Sequence, residues 1–257
     1  MARSSNHRGF TVVELLAVIG VIAVLMAIAI PTIRTVRLAS ANTTDLSQIR
    51  QLGIAHLAYQ VTNSDRFVDV GLPHGGYGNE AQSFAQVLAS YTDDIVMKSP
   101  LDSSPHWPID LGGEGRGIAE DGTGPLRRTS YGMNNYLSRT YSPAAALYGP
   151  GHAADRASAV SRPDRIVCFL HMADRGSYAV SDHVHVESWG VGNEPWRLAN
   201  NQMSIWAAEG DEVVASVSTS NYGFVDGSVG TRPFVELYES RSRNAFDPDA
   251  ILPGAGG

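Results

Sequence analysis

The apolar positions near the amino terminus form one almost unbroken run. From Leu15 to Ile33 every residue is apolar except Gly20, Pro31 and Thr32. An α-helix rises about 1.5 Å per residue, so the 19 residues of this run are long enough to cross the hydrocarbon core of a bilayer. The pattern therefore predicts a membrane span.

Beyond Pro31 the pattern becomes that of an amphipathic helix. Apolar residues recur at spacings near three and four with polar residues between them, at Val36, Leu46, Ile49, Leu52, Leu57 and Tyr59. One helix is therefore predicted from about Phe10 to Thr62, with its first half in lipid or a fibre core and its second half packed on a globular head. Pro31 lacks a backbone N–H, so we expect a kink near the middle of this helix.

The rest of the chain changes from helical to strand-like patterns. The sequence predicts a loop at Gly71 to Gly78, a short helix at Glu80 to Tyr91 and an irregular insert at Ser99 to Pro125. Five short β-prone segments follow, at Ile166 to Leu170, Tyr178 to Val180, His183 to Val186, Val213 to Val217 and Asn221 to Val225. We expect an α+β fold in which an antiparallel β-sheet packs against the long helix.

The dipeptide Asp226-Gly227 marks the turn of a predicted β-hairpin. It separates the β-prone segment Asn221 to Val225 from Ser228 to Thr231. A type I′ turn needs positive φ at both central positions, and Asp-Gly is one of the sequences that favour it. The sequence therefore predicts a type I′ turn at Asp226 and Gly227.

Glu14 is the only charged residue between Gly9 and Arg34. An ionisable group in the membrane is costly unless it has a partner, and no basic residue lies at helical spacing within the span. Cleavage between Gly9 and Phe10 would create a partner, because the new α-amino group of Phe10 is a cation at a similar depth. The sequence thus indicates that a positive charge is either created by cleavage or supplied from outside.

These residues carry a resemblance to a known family. Gly9-Phe10-Thr11-Val12-Val13-Glu14-Leu15-Leu16, with Pro31 later in the span, resembles the class III signal of type IV pilins and type II secretion pseudopilins. The resemblance implies that a prepilin peptidase recognises Gly9, cleaves before Phe10 and N-methylates Phe10. It also implies that Glu14 pairs with the N-terminal amine of a neighbouring subunit in a growing fibre.

A second resemblance lies in the carboxyl-terminal half. Ser130 to Tyr136 and Asn221 to Val229 are similar to segments of pseudopilin-like proteins whose signature is a histidine, nine residues, then Asp-Gly. Ser216 stands where the histidine is expected, whereas the turn at Asp226 and Gly227 is intact. The unmatched stretches 71–128 and 187–210 are consistent with inserts.

The resemblance implies a domain order and a location. Residues 1–9 would be a leader peptide, 10–33 a transmembrane or fibre-core helix, 34–62 the amphipathic half of that helix, and 63–257 an α+β head in the periplasm. The implied partners are prepilin peptidase, other pilin or pseudopilin subunits, an inner-membrane assembly platform and the lipid bilayer. The implied role is that of a structural subunit of a pilus or pseudopilus.

Two other interpretations of the N-terminal segment stay open. Ala27-Ile28-Ala29 is similar to the cleavage site of an ordinary signal peptide, which would release a secreted binding protein or enzyme. A plain signal anchor would keep the span but leave the Gly-Phe-Thr run unexplained.

Composition and charge limit the classes of function. The formal net charge of −7 argues against nucleic acid as the main partner, because phosphate binding rests on clustered Lys and Arg. Cys168 is the only cysteine, so no internal disulfide can form. Its neighbours from Ile166 to Leu170 are apolar, which predicts a small buried side chain rather than a reactive thiol.

Neither catalysis nor a metal site is predicted. His183-Val184-His185 on a strand would point both imidazoles to one face, but two histidines on the wet face of a sheet are the commoner arrangement. With His171, Asp174 and Asp182 near in sequence, these histidines could form a transition-metal site, but spacing of this kind is a weak signal. Asp102, Asp226, Asn134 and Asn135 match no calcium loop, and no Gly-x-Ser-x-Gly elbow is present. We therefore expect a chain that is not an enzyme and needs no cofactor.

Overall fold

One long α-helix, α1 (Val12–Thr62), dominates the amino-terminal part of the chain. It appears in a computed structural model that describes residues 11–72, 74–75, 83–92, 97–190, 194–205 and 218–253. The chain divides into two compact units, Met1–Thr43 and Thr44–Gly257, and α1 contributes to both. The predicted helix is confirmed from Val12 to Thr62, while Phe10 lies outside the described residues.

The end of α1 is marked by two residues with left-handed backbone. Ser64 and Asp65 have φ values of 57° and 66°, and Asp65 N donates to Gln60 O at 3.0 Å. Such a conformation commonly satisfies the free carbonyl groups at the end of a helix. Pro31 lies within α1 without dividing it into two elements, and the expected kink stays a prediction.

The second unit is built around a five-stranded sheet. Its strands are β1 (Tyr131–Asn134), β2 (Val167–His171), β3 (His183–Val184), β4 (Thr219–Phe224) and β5 (Val229–Pro233), in the order β3-β1-β2-β4-β5. The pairs β1–β2, β2–β4 and β4–β5 are antiparallel. The pair β1–β3 is parallel, so the sheet is mixed rather than antiparallel throughout, and the α+β class is confirmed. The connection from β2 to β3 reverses the chain again, which leaves β3 running in the direction of β1.

Short helices and a second pair of strands complete the described part of the second unit. The helices are α2 (Phe84–Leu88), α3 (Pro143–Tyr148), α4 (Pro195–Asn200) and α5 (Phe234–Leu237). β6 (Tyr238–Ser240) and β7 (Arg243–Asn244) form a two-stranded sheet. α2 confirms the short helix predicted between Glu80 and Tyr91. Between Ser99 and Pro125 the backbone is irregular apart from one 3₁₀ turn, Ile109–Leu111, as the sequence predicts.

Several strand predictions fail for identifiable reasons. Tyr178 to Val180 lies in a 3₁₀ helix, Ser177–Val180, where the carbonyl of Ala179 accepts a hydrogen bond from Arg127 instead of joining a sheet. The strand predicted at His183 to Val186 stops at Val184, because Val186 begins another 3₁₀ helix. The segment Val213 to Val217 lies outside the described residues.

The hairpin of β4 and β5 is confirmed, but its turn type differs from the prediction. Gly227 has a φ of 82°, whereas Asp226 does not have positive φ, so the turn is not type I′. Gly227 N donates to Phe224 O at 2.9 Å, and Phe224 N donates to Ser228 O at 2.8 Å. This pattern is that of a three-residue loop closed by a glycine bulge. Asp226 holds the loop by accepting from Ser228 N and Oγ at 2.9 and 2.6 Å.

The hydrophobic core of the second unit joins the buried face of α1 to the sheet. Ile49, Leu52 and Ala55 of α1 are fully buried among strand and loop residues. Cys168 is fully buried in the same core, which confirms the small buried side chain predicted from its apolar neighbours.

Candidate functional site

The amino-terminal part of α1 exposes its apolar side chains on every side. Large hydrophobic residues from Val12 to Leu38 are exposed, among them Val12 at 73 % and Leu25 at 62 % of their surface. An 18-residue window of the helix has a mean hydropathy of 2.9 and none of it is buried. A helix that is apolar all round belongs inside a membrane or a larger assembly. We call Val12 to Ile33, in which Glu14 is the only charged residue, the apolar segment.

Glu14 lies in the first turn of α1, where it forms a capping arrangement with Thr11. Its Oε2 accepts hydrogen bonds from Thr11 N and Thr11 Oγ1, both at 2.9 Å, and Glu14 N donates to Thr11 Oγ1 at 3.3 Å. This reciprocal pattern is a capping box, in which a threonine before the helix and a glutamate three residues later satisfy free N–H groups. Thr11 was not assigned a role from the sequence, although Thr-x-x-Glu before an apolar run is a recognised signal.

The capping hydrogen bonds do not neutralise the negative charge of the Glu14 carboxylate. Its two donors are a neutral amide and a neutral hydroxyl, both of Thr11. Within the described residues no cation lies against Glu14. Gly9 and Phe10, the predicted cleavage and methylation residues, lie outside the described residues, so the expected pairing with the Phe10 amine stays a prediction.

Residues 4–30 match the family model described as the prokaryotic N-terminal methylation motif. The N-terminal segment carries a prokaryotic methylation motif. The match covers about a tenth of the chain and spans Gly9, Phe10 and Glu14. Together with the long apolar helix it is consistent with a prepilin-like protein. No curated protein and no solved structure matches the chain.

The second unit of the chain is organised around the buried carboxylate of Asp45. Asp45 is fully buried and lies on α1 one turn before Ile49. Its carboxylate accepts from Ser99 Oγ at 2.5 Å, Tyr131 OH at 2.8 Å and Asn221 Nδ2 at 2.7 Å, and His171 Nε2 lies 2.8 Å away. These partners come from the insert, β1, β2 and β4. One carboxylate thus ties α1 to three strands.

The charge of Asp45 is stabilised by these donors. Burial alone would raise its pKa, but the hydrogen bonds from His171, Ser99 and Asn221, with the field of His171, hold the pKa below its usual value. Asp45 is not among the site residues predicted from the sequence. A signal was present, because Asp45 falls on the same helical stripe as Ile49 and Leu52, where a charge is unexpected.

The residues that could be imagined as calcium ligands make hydrogen bonds or ion pairs within the protein. Asp102 forms a buried ion pair with Arg127 at 2.7 Å and accepts from Ser130 Oγ at 2.5 Å. Asp226 holds its own turn, and Asn134 Nδ2 donates to the carbonyls of Val167 and Phe246. Each of these side chains has a structural partner.

The Asp-Gly turn lies against α1. A Cβ added to Gly227 would lie 3.0 Å from Leu57 Cδ1, and one added to Gly53 would lie 3.2 Å from Gly227 Cα. In the same hairpin, a Cβ on Gly223 would lie 2.7 Å from Ile49 Cγ2. The glycines of the predicted signature segment therefore permit close approach of the hairpin to the helix.

His183 and His185 do not lie on a solvent-exposed face of the sheet. His183 is fully buried and His185 is half-buried, so the expectation that they would is wrong. His171 and Asp182, considered with them, have separate roles. His171 is bound to Asp45, and Asp182 accepts from Gly71 N at 2.9 Å and Leu72 N at 3.1 Å.

Proposed function

We propose that this chain is the precursor of a structural subunit that assembles into a type IV pilus or a type II secretion pseudopilus. The observation that carries the proposal is the methylation motif at residues 4–30, joined to an apolar segment that is exposed on all sides. Prepilin peptidase cleaves after Gly9 and methylates the new amine of Phe10. A structural role rather than catalysis follows from this class of N-terminal signal.

The apolar segment has two successive roles in this proposal. It first holds the precursor in the inner membrane, with the head in the periplasm, and then packs against the equivalent helices of other subunits. Gly20 and the alanines of the segment allow neighbouring backbones to approach closely. The interfaces between successive subunits are heterologous and do not close, so assembly with an inner-membrane platform yields a fibre.

Glu14 sets the axial position of each incoming subunit. Its hydrogen bonds to Thr11 leave its negative charge without a cation. The methylated amine of Phe10 stays protonated and supplies that cation from a neighbouring subunit. In surroundings of low dielectric constant this pairing is stronger than in water and favours one register over its alternatives.

The mass of the mature amino terminus tests the proposal directly. The protein is isolated from cells with active prepilin peptidase, and its first peptide is analysed by mass spectrometry. We expect the chain to begin at Phe10 with one methyl group on the amine. A start at Ile30 would indicate an ordinary signal peptide and a secreted binding protein or enzyme, and a start at Met1 or Ala2 would indicate a signal anchor. Either of these results would overturn the proposal.

A further inference from the structure

Three histidines come together at one edge of the five-stranded sheet. His183 belongs to β3, His185 follows it, and His74 lies on the loop after Leu72. One ring nitrogen of each lies within 4.8 Å of a ring nitrogen of the other two. The ring centroids are 4.6 Å apart for His74 and His185, 5.1 Å for His183 and His185, and 5.5 Å for His74 and His183. We call these three residues the histidine cluster.

Carboxylates fix which nitrogen two of these imidazoles present to the cluster. His183 Nδ1 lies 3.1 Å from Asp182 Oδ1, and His185 Nδ1 lies 2.8 Å from Glu187 Oε1. An ionised carboxylate only accepts hydrogen bonds, so both Nδ1 atoms donate. In the neutral imidazole the proton on Nδ1 leaves a lone pair on Nε2. Both side chains therefore carry on Nε2 the lone pair that a metal ion can bind.

His183 Nε2 is a buried atom without a hydrogen-bond partner among the described residues. The whole His183 side chain is fully buried. Buried polar atoms in folded proteins nearly always have a partner, and an ordered water or a bound ion commonly accounts for an exception. A metal ion would satisfy this lone pair.

The carboxylates behind the histidines are themselves held in place. Asp182 accepts from the backbone N–H groups of Gly71 and Leu72, and Glu187 Oε2 accepts from Asn135 Nδ2 at 2.7 Å. Histidine ligands of metal ions commonly donate their other N–H to a carboxylate that is fixed in this way. The hydrogen bond to Asp182 also holds Leu72, two residues before His74 in the sequence.

Aromatic rings complete the walls around the histidine cluster. The Tyr141 ring lies 4.3 Å from that of His183, and the Tyr178 ring lies 4.2 Å from that of His74, each tilted by less than 40°. Gly75 N donates to Ser177 O at 3.1 Å, which fixes the loop that carries His74. The cluster is thus supported on the sheet side and on the loop side.

We propose that His74, His183 and His185 bind a divalent transition metal ion, for which Zn²⁺ is the best fit. Three neutral imidazoles suit zinc, whereas calcium and magnesium prefer oxygen ligands. With Zn–N bonds of about 2.0–2.1 Å, tetrahedral geometry places the ligand nitrogens about 3.3 Å apart. The exposed His74 supplies the small closing movement, and the fourth position takes water. The ion then ties the loop after Leu72 to β3.

Zinc retention by the full-length protein in detergent tests this site. The protein is loaded with Zn²⁺, dialysed, and analysed for metal content and for affinity by competition with a chromogenic chelator. We expect one equivalent of zinc to be retained, and excess Ca²⁺ not to displace it. His74→Ala should remove binding at micromolar zinc, and Glu187→Gln should weaken it by about 10–100-fold because it loosens His185.

His152→Ala is the matched control, since His152 is exposed and lies outside the histidine cluster. It should retain zinc as the unaltered protein does. His74 is exposed, so its replacement leaves the core intact, and the melting temperature without zinc should be unchanged. Absence of zinc from the unaltered protein, displacement by calcium, or undiminished binding in the His74→Ala variant would each overturn the proposal.

Discussion

At the scale of single residues, His56 shows how burial decides protonation. Its ring lies inside the second unit, where His56 Nε2 accepts from Val68 N at 3.1 Å and Nδ1 lies 3.4 Å from Cys168 Sγ. Burial penalises the charged imidazolium and lowers the pKa of His56 from 6.5 to about 3. The neutral form is therefore part of the folded structure at any ordinary pH.

This depressed pKa predicts a loss of stability in mild acid. Below pH 6.5 His56 becomes protonated in the unfolded chain, whereas in the folded chain it stays neutral down to about pH 3. The free energy of unfolding therefore falls as the pH falls through this window. Between about pH 7.5 and about pH 5 the contribution of His56 should fall by about 2 kcal/mol. Chemical denaturation at both pH values measures it.

His56→Gln is the matched variant for this measurement. Glutamine does not titrate in this pH range, and its side-chain oxygen can still accept a hydrogen bond from Val68 N. The variant should lose less stability than the unaltered protein between the two pH values, by about the same 2 kcal/mol. Equal losses in the two proteins would show that His56 is already protonated or solvated in the folded state.

At the scale of elements, the sequence predicts best those helices and strands whose hydrophobic pattern extends over many residues. α1 is predicted well because its spacing repeats over many turns, and the β4–β5 hairpin because Asp226-Gly227 lies between two alternating segments. The Tyr178 to Val180 segment is as β-prone as a true strand, yet the carbonyl of Ala179 binds Arg127, a residue distant in sequence. Local sequence patterns do not predict hydrogen bonds between residues that are distant in sequence.

The same limit applies to Asp45 and to the histidine cluster, both in the second unit. Asp45 draws its partners from Ser99, Tyr131, His171 and Asn221, which are far apart along the chain. The histidine cluster likewise depends on a loop folding back onto β3. In the N-terminal segment, by contrast, Gly9, Phe10 and Glu14 are close in sequence, so one short motif contains the whole predicted processing site.

The contact between α1 and the hairpin predicts a strong effect at Gly223. An alanine there would bring its Cβ to 2.7 Å from Ile49 Cγ2, in a core where neither element can move freely. We expect Gly223→Ala to lower the free energy of unfolding by about 1–3 kcal/mol through overpacking. Gly230→Ala is the control on the paired strand, because a Cβ there meets nothing within 4 Å.

Denaturation curves of the two variants decide this point. Gly230→Ala should remain within about 0.5 kcal/mol of the unaltered protein, as surface changes usually do. If Gly223→Ala were equally neutral, the hairpin would not be held against Ile49 as closely as the structure indicates.

At the scale of the whole molecule, the division after Thr43 suggests that assembly and head stability can be altered separately. The apolar segment begins with the capping box of Thr11 and Glu14, whereas the Asp45 hydrogen bonds lie wholly within the second unit. A change at Glu14 should therefore leave the melting of the head unchanged. Its effect should appear only when subunits associate.

Glu14→Gln separates the charge of this residue from its capping role. The glutamine oxygen can still accept from Thr11 N and Oγ1, so the helix start is preserved, but the negative charge is lost. A charge-assisted hydrogen bond contributes about 1.5–3 kcal/mol, which corresponds to a drop of about tenfold or more in incorporation into fibres. Sheared-fibre yield measures incorporation, and the mass of the amino terminus checks that cleavage and methylation still occur.

Thr11→Ala completes the comparison by removing the cap and keeping the charge. If the proposed pairing with the methylated Phe10 amine drives recruitment, this variant should assemble nearly as well as the unaltered protein, because capping an exposed helix end contributes only about 1 kcal/mol. Equal loss of fibres in both variants would assign the effect to the helix start. If the Glu14→Gln variant assembled normally, charge pairing would not be what sets the register, because the charge is the only feature that this substitution changes.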